Sequence, residues 1–561
     1  MQFSSLFSNP SVQYAISMAL FIFRILVPAL SIIVVLKSYS SLKKGRRRED
    51  PVVILENTIT NETIPVLYWE NSLGRSKSCD IVLNDTTVSR SHAVLMRRET
   101  GWYVSDTGSK AGTFVNAKKL QEACRIIPGD MIVLGSTALR FNRTPNEKPQ
   151  SVRRILPAAS PAGLLFRVSL IQLLLCVQAC FGGAAFNYEP AIPFGVMFAL
   201  EWILYLISMK GFKRVSFELE TVGFLLSGIG IMLIFEASKK DAYKQLGALG
   251  IGVVLFCVMI WFLNDLNRVM KMRVAIGVAA IVLFAVNLVF ARAQNGARNW
   301  INLGGFSIQP SEFIKIAFIF VGASTLDRLQ TAKNLTGFIS FSAVCLGALF
   351  LMRDFGTACV FFITFLIIAF MRSGSVRTVA LICAVAAFGA FLIIKFKPYV
   401  ADRFKAWRHV WDYAEGTGYQ QTRVLSYSAS GGLFGIGLGK GSLKTVFAST
   451  SDLMFGMICE ELGVILGLAV VFAIAMLLFY ARSDATRSRS TFYSISACAA
   501  AGMLLFQTCL NVFGATDVLP LTGVTLPFVS LGGSSLVAVW GLLAFIKASD
   551  ERTYAARRKK R

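Results

Sequence analysis

Apolar runs long enough to cross a bilayer recur from one end of this 561-residue sequence to the other. A helix needs about 20 such residues to span the hydrocarbon. The runs fall near 14–36, 161–183, 191–208, 219–235, 245–263, 274–290, 311–326, 337–353, 356–371, 376–396, 453–480, 491–514 and 527–548, roughly thirteen crossings in all. Hydrophobic residues make up 55% of the chain and charged ones only 16%, a balance that excludes a soluble protein of ordinary design. The expected fold class is a polytopic α-helical membrane protein.

The net charge of +25 does not point to nucleic acid, because Lys and Arg cluster between the apolar runs, as in Lys43-Lys44-Gly45-Arg46-Arg47-Arg48 and in Arg557 to Arg561. Loops on the inner face of a membrane carry such an excess. The first run lacks a basic start and is followed by a basic cluster, the reverse of a cleaved signal peptide. It reads as an anchor with its N-terminus outside. If the segment after it is inside, so are Lys210/Lys213/Arg214, Arg268/Lys271/Arg273, Asp327/Arg328/Lys333, Arg482/Arg487/Arg489 and the basic tail; only Lys239-Lys240-Asp241 breaks the pattern. The same parity puts 291–310 and 397–452 outside. The latter holds Trp407, His409, Trp411, Tyr419 and a glycine-rich run, and is expected to fold against the membrane surface; loops of this length are often functional. Eleven scattered cysteines with no CxxC pair, and only two histidines, give no ground for a disulfide framework, a zinc site or a histidine-built metal site.

Residues 50–147 differ in kind. Short alternating stretches (Pro65-Val66-Leu67-Tyr68-Trp69, Ala93-Val94-Leu95-Met96, Trp102-Tyr103-Val104, Met131-Ile132-Val133-Leu134) are separated by turn residues, which predicts an inserted all-β sandwich. Phosphate recognition needs a fixed guanidinium, short hydroxyls and backbone donors on loops of a rigid scaffold. Gly74-Arg75, Ser89-Arg90-Ser91-His92 and Asp106-Thr107-Gly108-Ser109-Lys110-Ala111-Gly112-Thr113 supply them. In order and spacing, with Pro128-Gly129-Asp130 and Leu134-Gly135, these resemble a forkhead-associated (FHA) domain. The resemblance implies phosphothreonine binding by Arg75 and Ser89, supported by Arg90 and Lys110, with His92 structural and a phosphothreonine protein of a Ser/Thr kinase pathway as partner. The family usually has Asn where Ala111 stands, a side chain that orients the bound peptide; protein docking without phosphate is the other use of such a domain.

A charge at a helix centre costs roughly 2.5–3.5 kcal/mol on the insertion scale, so charges that persist in apolar runs either line a polar cavity or mark helix ends. Glu312 and Lys315 lie i,i+3 and can pair on one face. Asp354 sits between two runs, and Glu460-Glu461 open another behind Asp452. Asn295-Gly296-Ala297-Arg298-Asn299-Trp300-Ile301, then Gln309-Pro310-Ser311-Glu312 with Lys315, resemble the signature of the SEDS proteins (shape, elongation, division and sporulation). The match continues through Asp354-Phe355-Gly356-Thr357, Gly418-Tyr419-Gln420, Gly431-Gly432-Leu433-Phe434-Gly435-Ile436-Gly437, Ser451-Asp452-Leu453-Met454-Phe455, Glu460-Glu461-Leu462-Gly463 and the segment from Pro520 to Ser535. The ten runs in 219–548 equal that family's count. The chain thus divides into an anchor and basic linker (1–45), the sandwich (50–147), two added transmembrane helices (155–210) and a SEDS-like core (211–561).

The resemblance implies a RodA/FtsW-like peptidoglycan glycosyltransferase of the cell membrane. Such enzymes polymerise lipid II outside, release undecaprenyl diphosphate, and work with a class B penicillin-binding transpeptidase in division, elongation or sporulation. Glycosyl transfer needs a base for the attacking hydroxyl, and cations for the departing diphosphate. Asp452 occupies the position of the family's essential aspartate, which implies a base or a ligand to a divalent cation, Mg or Mn; Asp before an apolar run is also a good helix N-cap. Arg298, Arg403 and Lys315 are the cations for the diphosphate, with Glu312 and Trp300 beside them. The glycine run 431–439 reads either as a phosphate cradle or as close-approach backbone. Departures from the family are Thr450-Ser451 for His-Thr, Arg423-Val424 for Gln-Ser, Leu531 for Tyr, and the acid Asp517. A lipid II flippase and a non-catalytic scaffold for the transpeptidase are the rival readings. The flippase would keep its paired charges near the midplane and need no carboxylate at the outer edge.

Overall fold

The computed structural model describes residues 10–44, 53–66, 70–76, 79–98, 101–143, 159–182, 186–211, 214, 216–294, 297–302, 304, 307–326, 332–373, 376–396, 404–484 and 490–550. Arg403, Leu67-Tyr68-Trp69 and the basic runs 45–48 and 557–561 lie outside the described residues. The chain opens with a long apolar helix, α1 (Pro10–Lys44). The alternating stretches after it form β1 (Val53–Asn57), β2 (Thr63–Val66), β3 (Glu70–Gly74), β4 (Ile81–Val82), β5 (Ala93–Arg98), β6 (Gly101–Asp106), β7 (Thr113–Val115), β8 (Lys118–Lys119), β9 (Cys124–Ile126), β10 (Met131–Leu134) and β11 (Thr137–Arg143). Two sheets result, in the orders β2-β1-β11-β10-β7-β8 and β4-β3-β5-β6-β9. The inward members of each alternation, among them Leu55, Leu73, Leu95, Val104, Ile132, Leu139 and Phe141, fill the core between them.

The remaining helices are α2 (Pro161–Cys180), α3 (Ala191–Leu206), α4 (Glu218–Ala237), α5 (Lys239–Leu263), α6 (Leu266–Phe290), α7 (Pro310–Leu326), α8 (Ala332–Leu351), α9 (Phe355–Ser373), α10 (Val376–Phe396), α11 (Tyr419–Gly431), α12 (Met454–Glu461), α13 (Val464–Asp484), α14 (Thr491–Ala515) and α15 (Gly533–Ser549). Three short strands, β12 (Arg292–Gln294), β13 (Ala297–Asn302) and β14 (Ser307–Ile308), stand between α6 and α7. Nine helices among the described residues are long and apolar enough to cross a membrane, and the chain is a multi-pass membrane protein. Both helices flanking Asp354 form. Two expected spans take a different shape. The run 453–480 is divided into α12 and α13, because Gly463 adopts a left-handed φ of +91° and a β-carbon there would lie 2.2 Å from the carbonyl oxygen of Leu433. The run from 527 becomes helical only at Gly533, since residues 527–531 form a tight turn in which the Ser530 N–H donates to the Leu526 carbonyl, the Ser530 hydroxyl accepts the Leu526 N–H, and Phe528 takes a φ of +67°.

In hydrocarbon, helices gain little from burying apolar surface against one another, so close approach and polar contacts hold a bundle together. Trp540 of α15 enters the centre against Phe224 and Phe256, with ring centroids at 4.9 and 5.6 Å. The added helices attach through a buried cluster in which Ser169 and Gln172 of α2 donate to Glu201 of α3, and Gln172 also donates to the carbonyl of Phe224 in α4. Ser41 of α1 donates to Glu218 at 2.6 Å. Lys547 donates to Glu220 at 2.9 Å and to Ser216, with neither charge exposed to solvent. Lys239, the exception to the charge pattern, pairs with Glu189.

Removing one partner of a buried pair leaves the other charge stranded. Lys547→Ala is therefore expected to lower stability in detergent by about 3–5 kcal/mol, and the double change Glu220→Gln with Lys547→Met to recover most of it, read by thermal unfolding. In the sandwich, hydroxyl donors from Ser136 and Thr87 hold the Asp85 carboxyl well below the usual carboxylate range. A depressed carboxyl stabilises the fold above its unfolded pKa of about 4, and that contribution is lost as acid protonates it. The protection of amides in β7 and β10 against hydrogen exchange, taken relative to the intrinsic rate at each pH, should fall between pH about 5 and about 2, and less so in Asp85→Ala.

Candidate functional site

Asp452 lies in the turn between a short 3₁₀ segment (Leu443–Thr445) and α12. Leu453, not Asp452, is the N-cap residue of α12, and its side chain makes no capping bond. The Asp452 loop is gripped by its main chain. The Thr450 carbonyl accepts the Leu531 N–H at 2.8 Å, the Ser451 carbonyl accepts the Ser530 hydroxyl, and the Asp452 carbonyl accepts Nδ2 of Asn511 at 2.9 Å. The same Asn511 nitrogen donates to the Val524 carbonyl at 2.8 Å. Gly523, at φ +71°, passes beside the carboxylate; a β-carbon there would sit 3.4 Å from Asp452 Oδ2. The half-buried carboxylate is thus set against segment 521–532, which Gln245 of α5 holds in turn through the Ser530 carbonyl and the Gly532 N–H.

One turn before Asn511 on the same face of α14 stands Gln507. Its amide donates to Thr525 and accepts from Lys315 Nζ at 3.2 Å. Lys315 also binds Glu312 at 2.7 Å, and the two residues are 1% and 4% exposed. They are an interior pair, although Glu312 stands in the first turn of α7. Asp354 joins three elements: it accepts from Asn299 of β13 at 3.0 Å, from Gln309, and from the Thr357 N–H in the first turn of α9. Arg298 is exposed on β13, its N–H bound to the Met352 carbonyl, and Trp300 is half-buried on the same strand.

The glycine run is close-approach backbone rather than an open cradle. Its amides at 435, 436, 437 and 439 are taken: Gly435 donates to the Gly431 carbonyl at 2.9 Å, Ile436 and Gly437 to the carbonyls of Glu460 and Glu461 at 3.0 Å each, and Gly439 to the Glu461 carboxyl at 2.7 Å. At Gly435 a β-carbon would lie 2.2 Å from the Glu461 carbonyl oxygen. Asp517 has a clear role, since it accepts the Arg408 N–H at 3.1 Å, while Trp407 Nε1 donates to the Val518 carbonyl. These bonds seat segment 404–418 over the end of α14. Among the described residues no group of three or more His, Cys, Asp or Glu could hold a metal ion.

On the sandwich, Arg75, Arg90 and Lys110 are exposed and Ser89 is half-buried. The Arg75 N–H donates to the Ser89 carbonyl, and the Lys110 N–H donates to Ser89 Oγ at 3.0 Å. His92 is fully buried: Nδ1 accepts the Ser89 N–H, so Nε2 carries the proton to the Gly112 carbonyl. Asp106 accepts from Gly108, Ser109 and Thr113 and shapes the turn that carries Lys110.

The geometry defines a class: a multi-pass membrane protein with one carboxylate loop suspended at an end of the bundle, and a two-sheet domain presenting cations on its turns. A profile of the FtsW/RodA/SpoVE family, described as a cell cycle protein family, matches residues 202–554, and an FHA-domain profile matches 71–135. The chain belongs to the FtsW/RodA/SpoVE family and carries an FHA domain. The peptidoglycan glycosyltransferase RodA of Mycobacterium tuberculosis is 29% identical over 430 residues, covering 70% of this chain and 92% of that one. A probable peptidoglycan glycosyltransferase FtsW of Tolumonas auensis is 34% identical over 355 residues, covering 58% and 90%. A solved peptidoglycan synthase complex that coordinates polymerization and crosslinking aligns with a TM-score of 0.51 at 25% identity, over 58% of this chain and 95% of its own.

If Asp517 seats segment 404–418, Asp517→Ala should speed hydrogen exchange at 407–413 by about tenfold or more, the loss of roughly 1.5 kcal/mol for a bond to a charged acceptor. Exchange within α4 and α15 should stay unchanged.

Proposed function

We propose that this protein is a peptidoglycan glycosyltransferase that polymerises lipid II at the outer face of the cytoplasmic membrane, with its FHA domain inside. The reading is carried by the placement of Asp452, a half-exposed carboxylate at the opposite end of α14 from the FHA domain. Glu70 of the sandwich meets Thr491 at the start of α14, and Asn511 holds the Asp452 loop. Twenty residues of helix separate the two, about 30 Å, the depth of a hydrocarbon core. The basic segments counted to the FHA side by parity support reading that side as the inner one.

In this reading Asp452 removes the proton from the acceptor sugar hydroxyl as its oxygen attacks the anomeric carbon of the donor. The bond from that carbon to the diphosphate oxygen breaks, and undecaprenyl diphosphate leaves with the electron pair. Arg298, exposed on β13, meets the diphosphate together with Arg403. Trp300 offers an apolar face to the sugar. Lys315, buried with Glu312, works from behind by holding Gln507 and segment 522–526. The names of the RodA and FtsW relatives support the substrate class, and the solved synthase complex supports a crosslinking partner, here a class B penicillin-binding transpeptidase. Arg75 and Ser89 take the phosphate of a phosphothreonine protein, with Arg90 and Lys110 flanking it.

The test is lipid II polymerisation by the purified protein, alone and with the transpeptidase. Glycan strands are expected from the native protein, and at least a 10²-fold slower rate from Asp452→Ala, the loss of a general base being worth about 10²–10⁴. Equal rates remove Asp452 from the chemistry. No strands from the native protein under either condition would favour a flippase or a scaffold. A phosphothreonine peptide should lose at least about tenfold in affinity for Arg75→Ala, a loss of roughly 1.4 kcal/mol or more.

A further inference from the structure

Strand β3 runs from Glu70 to Gly74 and leads directly into Arg75. Its first residue leaves the sandwich: Glu70 Oε2 accepts the Thr491 N–H at 2.9 Å and the Thr491 hydroxyl at 2.6 Å. Thr491 opens α14, and the N-cap Ser490 accepts the next N–H, from Phe492. A carboxylate in the first turn of a helix meets unpaired N–H groups and the positive end of the dipole. Glu70 therefore acts as a second cap on α14, supplied by another domain.

Both ends of this connection are held. β3 pairs with β5 from Glu70↔Met96 to Leu73↔Ala93, and Asp80 accepts from the N–H and hydroxyl of Ser72. Twenty of the 25 residues of α14 are buried, so it yields more readily as a unit than by bending. At its other end Gln507 and Asn511 hold Thr525, Val524 and the Asp452 loop. Meanwhile Arg75, Arg90 and Lys110 are exposed, so the contact with α14 leaves the ligand turns open.

We infer that the Glu70–Thr491 contact couples the FHA domain to the catalytic loop, so that a phosphothreonine peptide bound at the Arg75 turn changes the rate of polymerisation through α14. The inference rests on the proposed roles of Asp452 and Arg75. Interfaces between packed helices switch by shifts of about 1–2 Å, and such a shift of α14 would carry the Asn511 amide and the loop hanging from it. The added helices α2 and α3 are not needed for this route.

The experiment uses the full-length protein in proteoliposomes, with a synthetic phosphothreonine peptide selected for binding to it and the unphosphorylated peptide as control. Native protein is expected to change its polymerisation rate by at least about fivefold on peptide addition, the low end of measured couplings. Glu70→Ala and Thr491→Val should bind the peptide as the native protein does and keep the basal rate; the response should fall below about twofold in Glu70→Ala, which removes both bonds, and in part in Thr491→Val, which keeps the main-chain one. Hydrogen exchange at 491–494 and 523–526 is followed in the same samples. A protein that binds peptide but does not polymerise still reports the coupling there, which separates this inference from the catalytic reading. The inference is overturned if native protein binds the peptide with neither rate nor exchange altered, if both variants respond as the native protein does, or if no phosphothreonine peptide binds.

Discussion

Two carbonyls from two loops converge on one buried amide nitrogen, Nδ2 of Asn511. One belongs to Asp452 and the other to Val524, so this contact fixes how the carboxylate stands against segment 521–532. Its strength comes from its surroundings, because an amide in a low-dielectric interior has no water to fall back on. Gln507 repeats the arrangement a turn earlier with Thr525 and Lys315. Helix α14 is the beam from which the site hangs, and its neighbours need only keep it upright.

The buried charges elsewhere have the same character. Glu220 with Lys547, Glu201 with Ser169 and Gln172, and Glu218 with Ser41 each join different helices. In a bilayer such contacts choose the rotation and height of one helix against the next, where apolar surfaces would slide. They also explain how α1, α2 and α3, which lie outside the ten-span core, become part of one bundle.

Much of this was legible beforehand, for identifiable reasons. Helices and strands were marked by run length and alternation, and the Asp452 loop and the FHA turns by motif. Lys315 and Glu312 were visible as an i,i+3 pair, but their burial was not, because a pair at the start of a run suits an interface equally well. Gln507 and Asn511 carry a fainter signal in the sequence: two amides spaced i,i+4 inside an apolar run need partners, but the pattern does not say which. The break at Gly463 escaped because it depends on the nearness of Leu433, thirty residues away. Asp517 looked anomalous until the Arg408 N–H was seen against it. Contacts of that kind are set by tertiary structure, and local pattern does not encode them.

The Asp452 loop is held at three consecutive backbone carbonyls, those of residues 450, 451 and 452. Backbone oxygens are the same whatever residue bears them. Positions 450 and 451 can therefore be rewritten, as Thr and Ser here in place of the family's His and Thr, without altering the loop's suspension. What the loop shows to a substrate and what keeps it in place are encoded by different atoms, and selection can tune the first while leaving the second alone.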